Sequence, residues 1–254
     1  MKILHLLRTP VGGLFRHVCD LAAAQAERGY EVGVIYDSST GDALTAGRLE
    51  ALARSCALGI HGVPMSRTLS HRDIMSLFAA RRIARATGAD VLHGHGAKGG
   101  ALARLVAASV RGTRAFYTPH GGSLHFDRQS LQGFLFLGLE RLLDARTDGL
   151  IFESAFSARA YAAKVGTPSA LTRIIPNGLQ PRELEPARAN ADASDFLFIG
   201  ELRHLKGVDV LLQALAQCGS ATATIVGAGP DAESFKALAA DLGLDDRVRF
   251  TGAM

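Results

Sequence analysis

The chain has 254 residues, 48% of them hydrophobic, enough apolar material for one large or two ordinary domains with a buried core. Lys and Arg number 28 against 24 Asp and Glu, and this net charge of +4 is not clustered as nucleic-acid binding demands, which excludes that class of partner and leaves anionic small molecules or an acidic membrane surface. Short apolar runs alternate with helical periodicity, the pattern of helices on both faces of a parallel sheet, so the fold class is α/β. The first strand is Lys2–Leu7, followed by a Gly12-Gly13 loop and a helix with Leu14, Val18, Leu21 and Gln25 on one face, closed by Gly29 in a left-handed cap. Further strands are expected at Glu31–Tyr36, near Cys56–Ile60, and at Val91–His93, Arg114–Tyr117, Gly149–Phe152 and Arg173–Ile175. Ala-rich helices are expected near His71–Thr87 and Gly99–Val110, and Leu131–Leu143, apolar on more than one face, reads as a buried helix.

Periodicity is lost from Pro176 to Ser194, where Pro, Asn, Asp and Ala collect, so the domains are placed at residues 1–180 and 195–254 with a linker at 181–194. After it come a strand Phe196-Leu-Phe-Ile-Gly200, a loop Glu201–Gly207, a helix from Val208, a strand Thr222–Val226, a helix Asp231–Leu242 and a last strand Val248–Thr251. Three strands make the second domain incomplete. Cys19, Cys56 and Cys218 lack C-x-x-C spacing, which argues against a disulfide framework or zinc ribbon and points to a reducing, cytoplasmic setting. No signal peptide is evident and no apolar run approaches the roughly 20 residues that span a bilayer, so any membrane contact is expected to be peripheral.

The form strand, glycine-marked loop, helix occurs twice, at Lys2 to Gly13 and at Phe196 to Gly207. Helix N-termini past the ends of parallel strands are ready anion sites, and two of them suit a phosphate-bearing substrate. With His93-Gly-His95, Thr118-Pro-His120-Gly121-Gly122, Ile175-Pro-Asn177-Gly178, Val226-Gly-Ala-Gly-Pro230 and Val248-Arg-Phe-Thr-Gly252 in this order, the chain resembles the retaining glycosyltransferases of family 4. The resemblance implies two Rossmann-like domains facing each other across a cleft, the GT-B arrangement, with the second incomplete.

It also implies site residues. A departing nucleoside diphosphate needs a fixed cation, and Lys206, in the loop before a helix, takes that catalytic and donor-binding role; its other reading is an exposed lysine, which the helix dipole disfavours. Relatives carry an arginine directly after the strand glycine; here Glu201 stands there, and Arg203 is the nearest substitute or else a surface arginine. Gly12 and Gly13 permit close backbone approach and are expected to meet the donor. Arg16, one turn on, faces the acceptor side or solvent. His120, at the carboxyl edge of the sheet, would border the reacting sugar carbon; taken alone, it is equally a cap or a general acid-base group. His93 and His95, spaced i, i+2, could chelate a metal, but no third ligand is evident in that run; His95 is assigned to the acceptor side, and no metal is expected. Asn177-Gly178 is read as a turn without chemistry.

The expected activity is retaining transfer from a UDP-sugar or GDP-sugar, without a cofactor, to an acceptor glycan or lipid-linked sugar in polysaccharide or glycolipid assembly. Arg67, Arg72, Arg81, Arg82 and Arg85 would meet anionic lipid on the inner face of the membrane or form a solvated basic face. The donor-holding Glu-x7-Glu pair of the family is missing, so the chain reads as truncated and its isolated activity is in doubt. The alternatives are a nucleotide-sugar epimerase of the same fold and a non-catalytic nucleotide-sugar-binding module.

Overall fold

The computed structural model describes the chain apart from residues 42, 67–69, 187 and 254 and the side chains of 43, 44 and 182; Arg67 therefore lies outside the described residues. Two compact units are present, Met1–Leu184 and Glu185–Met254. The first is built on a parallel sheet of β1 (Lys2–Leu7), β2 (Glu31–Asp37), β3 (Ile60–Val63), β4 (Val91–His95), β5 (Arg114–Thr118), β6 (Gly149–Phe152) and β7 (Leu171–Ile174). Their order is β3-β2-β1-β4-β5-β6-β7, so the winding reverses between β1 and β4. The helices are α1 (Gly12–Glu27), α2 (Ala43–Ala53), α3 (Arg72–Thr87), α4 (Gly96–Ala107), α5 (Leu131–Asp144) and α6 (Ala155–Lys164).

Alternation along the strands divides the core between the two faces. Leu4 and Leu6 of β1 pack with Ala80 and Ala84 of α3 and Ala103 and Val106 of α4. Leu7 packs on the other face with Phe15, Val18 and Ala22 of α1. The buried stripe of α1 is thus one residue round from the expected Leu14, Leu21 and Gln25, because Phe15 and Ala22 fit the same spacing and Phe15 fills the core.

Several boundaries also move. β3 begins at Ile60, not Cys56, because Gly59 takes a left-handed φ of 83° that interrupts extended backbone. α4 begins at Gly96, three residues before the expected start, with its glycines pressed on the sheet. A Cβ at Gly99 would lie 2.2 Å from the Leu6 carbonyl oxygen, and one at Gly100 2.2 Å from the Tyr117 ring. Only glycine lets this helix approach so closely. β4 runs on to His95, and β7 is Leu171–Ile174. α2 and α6 were not foreseen; α6 is opened by a reciprocal Ser154/Ser157 capping box, in which Ser stands where Glu or Gln is usual. The expectation of a buried α5 is corrected. Only Gly133, Leu137, Glu140 and Leu143 are buried, while Leu131, Phe134 and Leu142 are 85%, 77% and 72% exposed, because the helix lies on the unit by a single stripe.

That stripe carries a charge. Arg104 of α4 pairs with Glu140 of α5 at 2.8 Å, both buried, and its guanidinium lies 4.1 Å over the Tyr117 ring. Glu140 also accepts from the Tyr117 hydroxyl at 2.9 Å and the Ser123 hydroxyl at 2.8 Å. One carboxylate thereby ties α4, α5, β5 and the turn Gly122–His125 together.

The second unit is a parallel sheet ordered β10-β9-β8, from β8 (Phe196–Ile199), β9 (Ala223–Val226) and β10 (Val248–Gly252), with α7 (Val208–Gln217) and α8 (Ala232–Asp241). Its core is Val208, Leu212 and Leu215 of α7 packed with Ile225 and Phe235.

Removing one partner of a buried ion pair strands the other charge in a low-dielectric interior. Glu140→Gln should therefore lower the stability of the first unit by about 3–5 kcal/mol in urea unfolding. A double change, Arg104→Met with Glu140→Leu, should recover only part of that loss, because the buried Tyr117 and Ser123 hydroxyls lose their acceptor.

Candidate functional site

In open α/β sheets, ligands gather at the carboxyl ends of the strands where the winding reverses, here the ends of β1 and β4. His5 of β1 and His93 of β4 are register partners, and His95 lies two residues on, so alternation puts all three on one face. All three are buried. A continuous polar chain runs through them. His5 Nε2 donates to Gln25 Oε1 at 2.8 Å, and His5 Nδ1 lies 3.0 Å from His95 Nε2. His95 Nδ1 lies 3.1 Å from His120 Nε2, and His120 Nδ1 lies 2.6 Å from Glu153 Oε1, which also accepts from Asn177 Nδ2 at 2.8 Å. His93 Nε2 contacts Thr118 Oγ1 at 2.9 Å. His17 sits edge-on to both His95 and His120, with ring centroids 5.8 and 5.2 Å away.

Burial governs the charge of this cluster. Desolvation, opposed by the Gln25 hydrogen bond and reinforced by His17, lowers His5 to about 4. Desolvation and the neighbouring imidazoles hold His93 and His95 well below the usual histidine range, and the same two causes lower His17. For Glu153 burial works upward, but the His120 contact, assisted by Asn177, outweighs it and leaves the carboxyl below its ordinary value. His5, His93 and His95 are thus held neutral, and the polar chain ends on the Glu153 carboxylate.

His120 has a φ of 49°, a left-handed conformation that only glycine adopts cheaply, and Gly121 and Gly122 continue it at 78° and 40°. A non-glycine residue held there is a strained point fixed by its surroundings, here by contacts on both ring nitrogens.

The structure joins two of the expected residues, His95 and His120, directly. Gly12 and Gly13 open α1 with exposed backbone and free space where side chains would stand. Arg16 is engaged: it pairs with Glu183 and lies 3.6 Å from Asp20, lining with Arg48, Cys19 and Gln180 a cavity of about 500 Å³. In the second unit Lys206 ends a 3-10 turn, His204–Lys206, and Gly207 at φ 73° then opens α7. Lys206 is exposed, and its ammonium has no hydrogen bond or ion pair among the described residues. Arg203 lies 3.3 Å from Glu201, so the proposed substitute is paired with the residue that displaced the expected arginine.

Sequence reasoning missed His5, His17, Thr118 and Glu153, and it gave Asn177 no side-chain role. The signal for His5 was a histidine amid apolar residues in Lys2-Ile-Leu-His-Leu-Leu. The run of His93 and His95 holds no third histidine, but the sheet brings the distant His5 beside them. One ring nitrogen from each of His5, His93 and His95 lies within 4.8 Å of the others, as do those of His17, His95 and His120. Neutral imidazoles in such groups are able to hold a transition metal.

Residues 11–183 match the family model described as Glycosyltransferase Family 4, and residues 180–254 the model described as Glycosyl transferases group 1. A 2-deoxystreptamine glucosyltransferase of Streptomyces kanamyceticus is 27% identical over 172 residues, covering 59% of this chain and 44% of that enzyme. A GDP-mannose-dependent alpha-(1-6)-phosphatidylinositol monomannoside mannosyltransferase of Mycobacterium tuberculosis is 31% identical over 130 residues, 46% of this chain and 33% of that enzyme. The matches thus span less than half the length of these two relatives. Anabaena HepE, solved in complex with UDP-glucose, superposes on 100% of this chain and 69% of its own with a TM-score of 0.78 at 21% identity.

Glu153→Gln keeps the acceptor but removes its charge, and should cost about 1 kcal/mol of stability at neutral pH. Because the folded carboxyl titrates below its unfolded value, this contribution is present above the ordinary carboxylate range and lost as pH falls through the folded pKa. Unfolding midpoints of the two proteins should therefore converge in acid; a constant gap down to pH 3 would show that the charge carries no part of the bond.

Proposed function

The chain belongs to glycosyltransferase family 4, and on that footing we propose that it moves a sugar from a nucleotide diphosphate donor to an acceptor hydroxyl with retained anomeric configuration. The observation that carries the donor assignment is the unpartnered Lys206 ammonium ahead of α7. An exposed cation beside helix amides that also favour anions is suited to the charge that grows on a departing diphosphate. Arg203 would add a second cation only by loosening its contact with Glu201. In the first unit the open Gly12 and Gly13 present the amides of α1, whose first turn carries no acidic side chain to compete with a phosphate. His120 borders the sugar, fixed by Glu153 on one side and His95 on the other. The transfer itself calls on no metal in this reading, since lysine and helix amides supply the positive charge.

UDP-glucose bound to a structurally similar protein, and GDP-mannose in the name of a relative, support a nucleotide-sugar donor. A lipid-linked acceptor is supported by α3, where Ile74, Met75 and Phe78 are 60%, 69% and 62% exposed beside exposed Arg72, Arg82 and Arg85. Arg81 does not belong to that face; it is half-buried and donates to the Ser109 carbonyl. Among the described residues no helix is long and apolar enough to cross a membrane. Cosedimentation with anionic vesicles should be detectable and lost in Phe78→Asp; equal pelleting of both proteins would remove the membrane part of the proposal.

The donor assignment is tested by calorimetric titration with UDP and GDP. One nucleotide should bind, and Lys206→Ala should weaken it about 10- to 100-fold, the value of a charge-assisted hydrogen bond. Unchanged affinity in that variant would sink it. Turnover of UDP-glucose or GDP-mannose with an acceptor should release the nucleotide and give a product whose anomeric signal matches the donor; an inverted signal would refute retention, and binding without turnover would favour a non-catalytic module.

A further inference from the structure

The polar chain through the sheet sets imidazole nitrogens against one another. At its inner end Gln25 Oε1 only accepts, so His5 Nε2 bears a hydrogen. At its outer end the ionised Glu153 only accepts, so His120 Nδ1 bears another. Between them stand two nitrogen-to-nitrogen contacts, His5 to His95 at 3.0 Å and His95 to His120 at 3.1 Å, each needing one hydrogen. Where His95 keeps its hydrogen on Nδ1, toward His120, the lone pairs of His5 Nδ1 and His95 Nε2 face each other at 3.0 Å.

A cation between the facing lone pairs removes the conflict. With the His95 hydrogen on Nδ1, directed at His120, His95 Nε2 and His5 Nδ1 are both free to bind. His93 joins them: its Nε2 is occupied by the Thr118 hydroxyl, which leaves Nδ1. One ring nitrogen of each residue lies within 4.8 Å of the others, and each ring has an outer partner, Gln25, Thr118 or His120. That is the arrangement in which metal-binding imidazoles are fixed in tautomer and orientation. His93 and Gln25 also line a cavity of about 500 Å³ with Ile3, Asp90 and Phe116. The outer group of His17, His95 and His120 is the weaker candidate, because only His95 of the three is buried and His120 Nδ1 is held by the Glu153 carboxylate.

We propose that His5, His93 and His95 form a binding site for one divalent transition-metal ion, zinc being the best match to three neutral imidazoles with a fourth position for water. The ion binds through lone pairs and displaces no proton from the neutral rings. It braces β1 to β4 and sets the hydrogen on His95 that faces His120.

The test uses untagged chain stripped with a chelator and titrated with Zn2+ or with Co2+ as a visible probe. About one equivalent should bind per chain and raise the thermal midpoint, and X-ray absorption should show imidazole nitrogens at about 2.0–2.1 Å from zinc. His93→Gln should abolish saturable binding, Thr118→Val should weaken it roughly 10- to 100-fold by removing an outer partner, and His17→Asn should leave it intact. The X-ray absorption measurement needs no variant, so the proposal stays open to refutation even if His93→Gln misfolds. Absence of saturable binding to the wild-type chain, binding indifferent to His93→Gln, or binding lost in His17→Asn would each overturn it.

Discussion

The close seating of α4 on the sheet is the constraint from which the first unit's site follows. Gly94, Gly99 and Gly100 leave no room for a side chain; a Cβ at Gly94 would lie 2.5 Å from backbone of Gly100. This contact brings the helix start, with His95 at its N-cap, against the ends of β1 and β5. A helix held about a methyl group farther out would carry Arg104 away from Glu140. The polar interior and the histidine chain are both consequences of that proximity.

Two buried polar systems then divide the work. Around Glu140, every hydrogen-bonding oxygen is used, by Arg104, Tyr117 and Ser123, and the result is a rigid junction under the loop that carries His120. Around His95 two nitrogen-to-nitrogen contacts leave the group a choice of tautomer. Satisfied networks fix structure, and networks with a choice of tautomer respond to ligands, ions and pH. The strained backbone at His120 sits where the two meet.

The second unit offers less machinery and more exposure. Its strands are short, and its cation at Lys206 stands in solvent between a turn and a helix. Its glycines nonetheless do structural work: a Cβ at Gly227 would lie 1.8 Å from the Gly200 carbonyl oxygen, so the β8 and β9 loops are pressed together. The Glu201–Arg203 pair occupies the stretch between them and is the local feature that sets this chain apart from the pattern its motifs resemble.

Much of this was legible along the chain. The α/β class, most strands and the glycine-marked loops came from periodicity and composition, because apolar runs on strands and amphipathic repeats on helices are local patterns. The short-range signals failed where packing decides. The sequence puts the start of α4 at Gly99 and not at Gly96 because glycine disfavours helices in isolation, yet contact of Gly99 and Gly100 with Leu6 and Tyr117 requires glycine in this helix. The apolar α5 looked buried because periodicity reports how many faces are apolar and not how many have a partner. Lys206, Gly12 and His120 stand out along the chain because each is beside a glycine in a strand-loop-helix segment, a local signature. His5, His93, His95, His120 and Glu153 come from four strands or their ends and are up to 148 residues apart in number. Their hydrogen bonds, and the lowered basicity of His5, His93 and His95, depend on distances of about 3 Å and on burial that only the folded sheet sets, and no pattern along the chain carries that information.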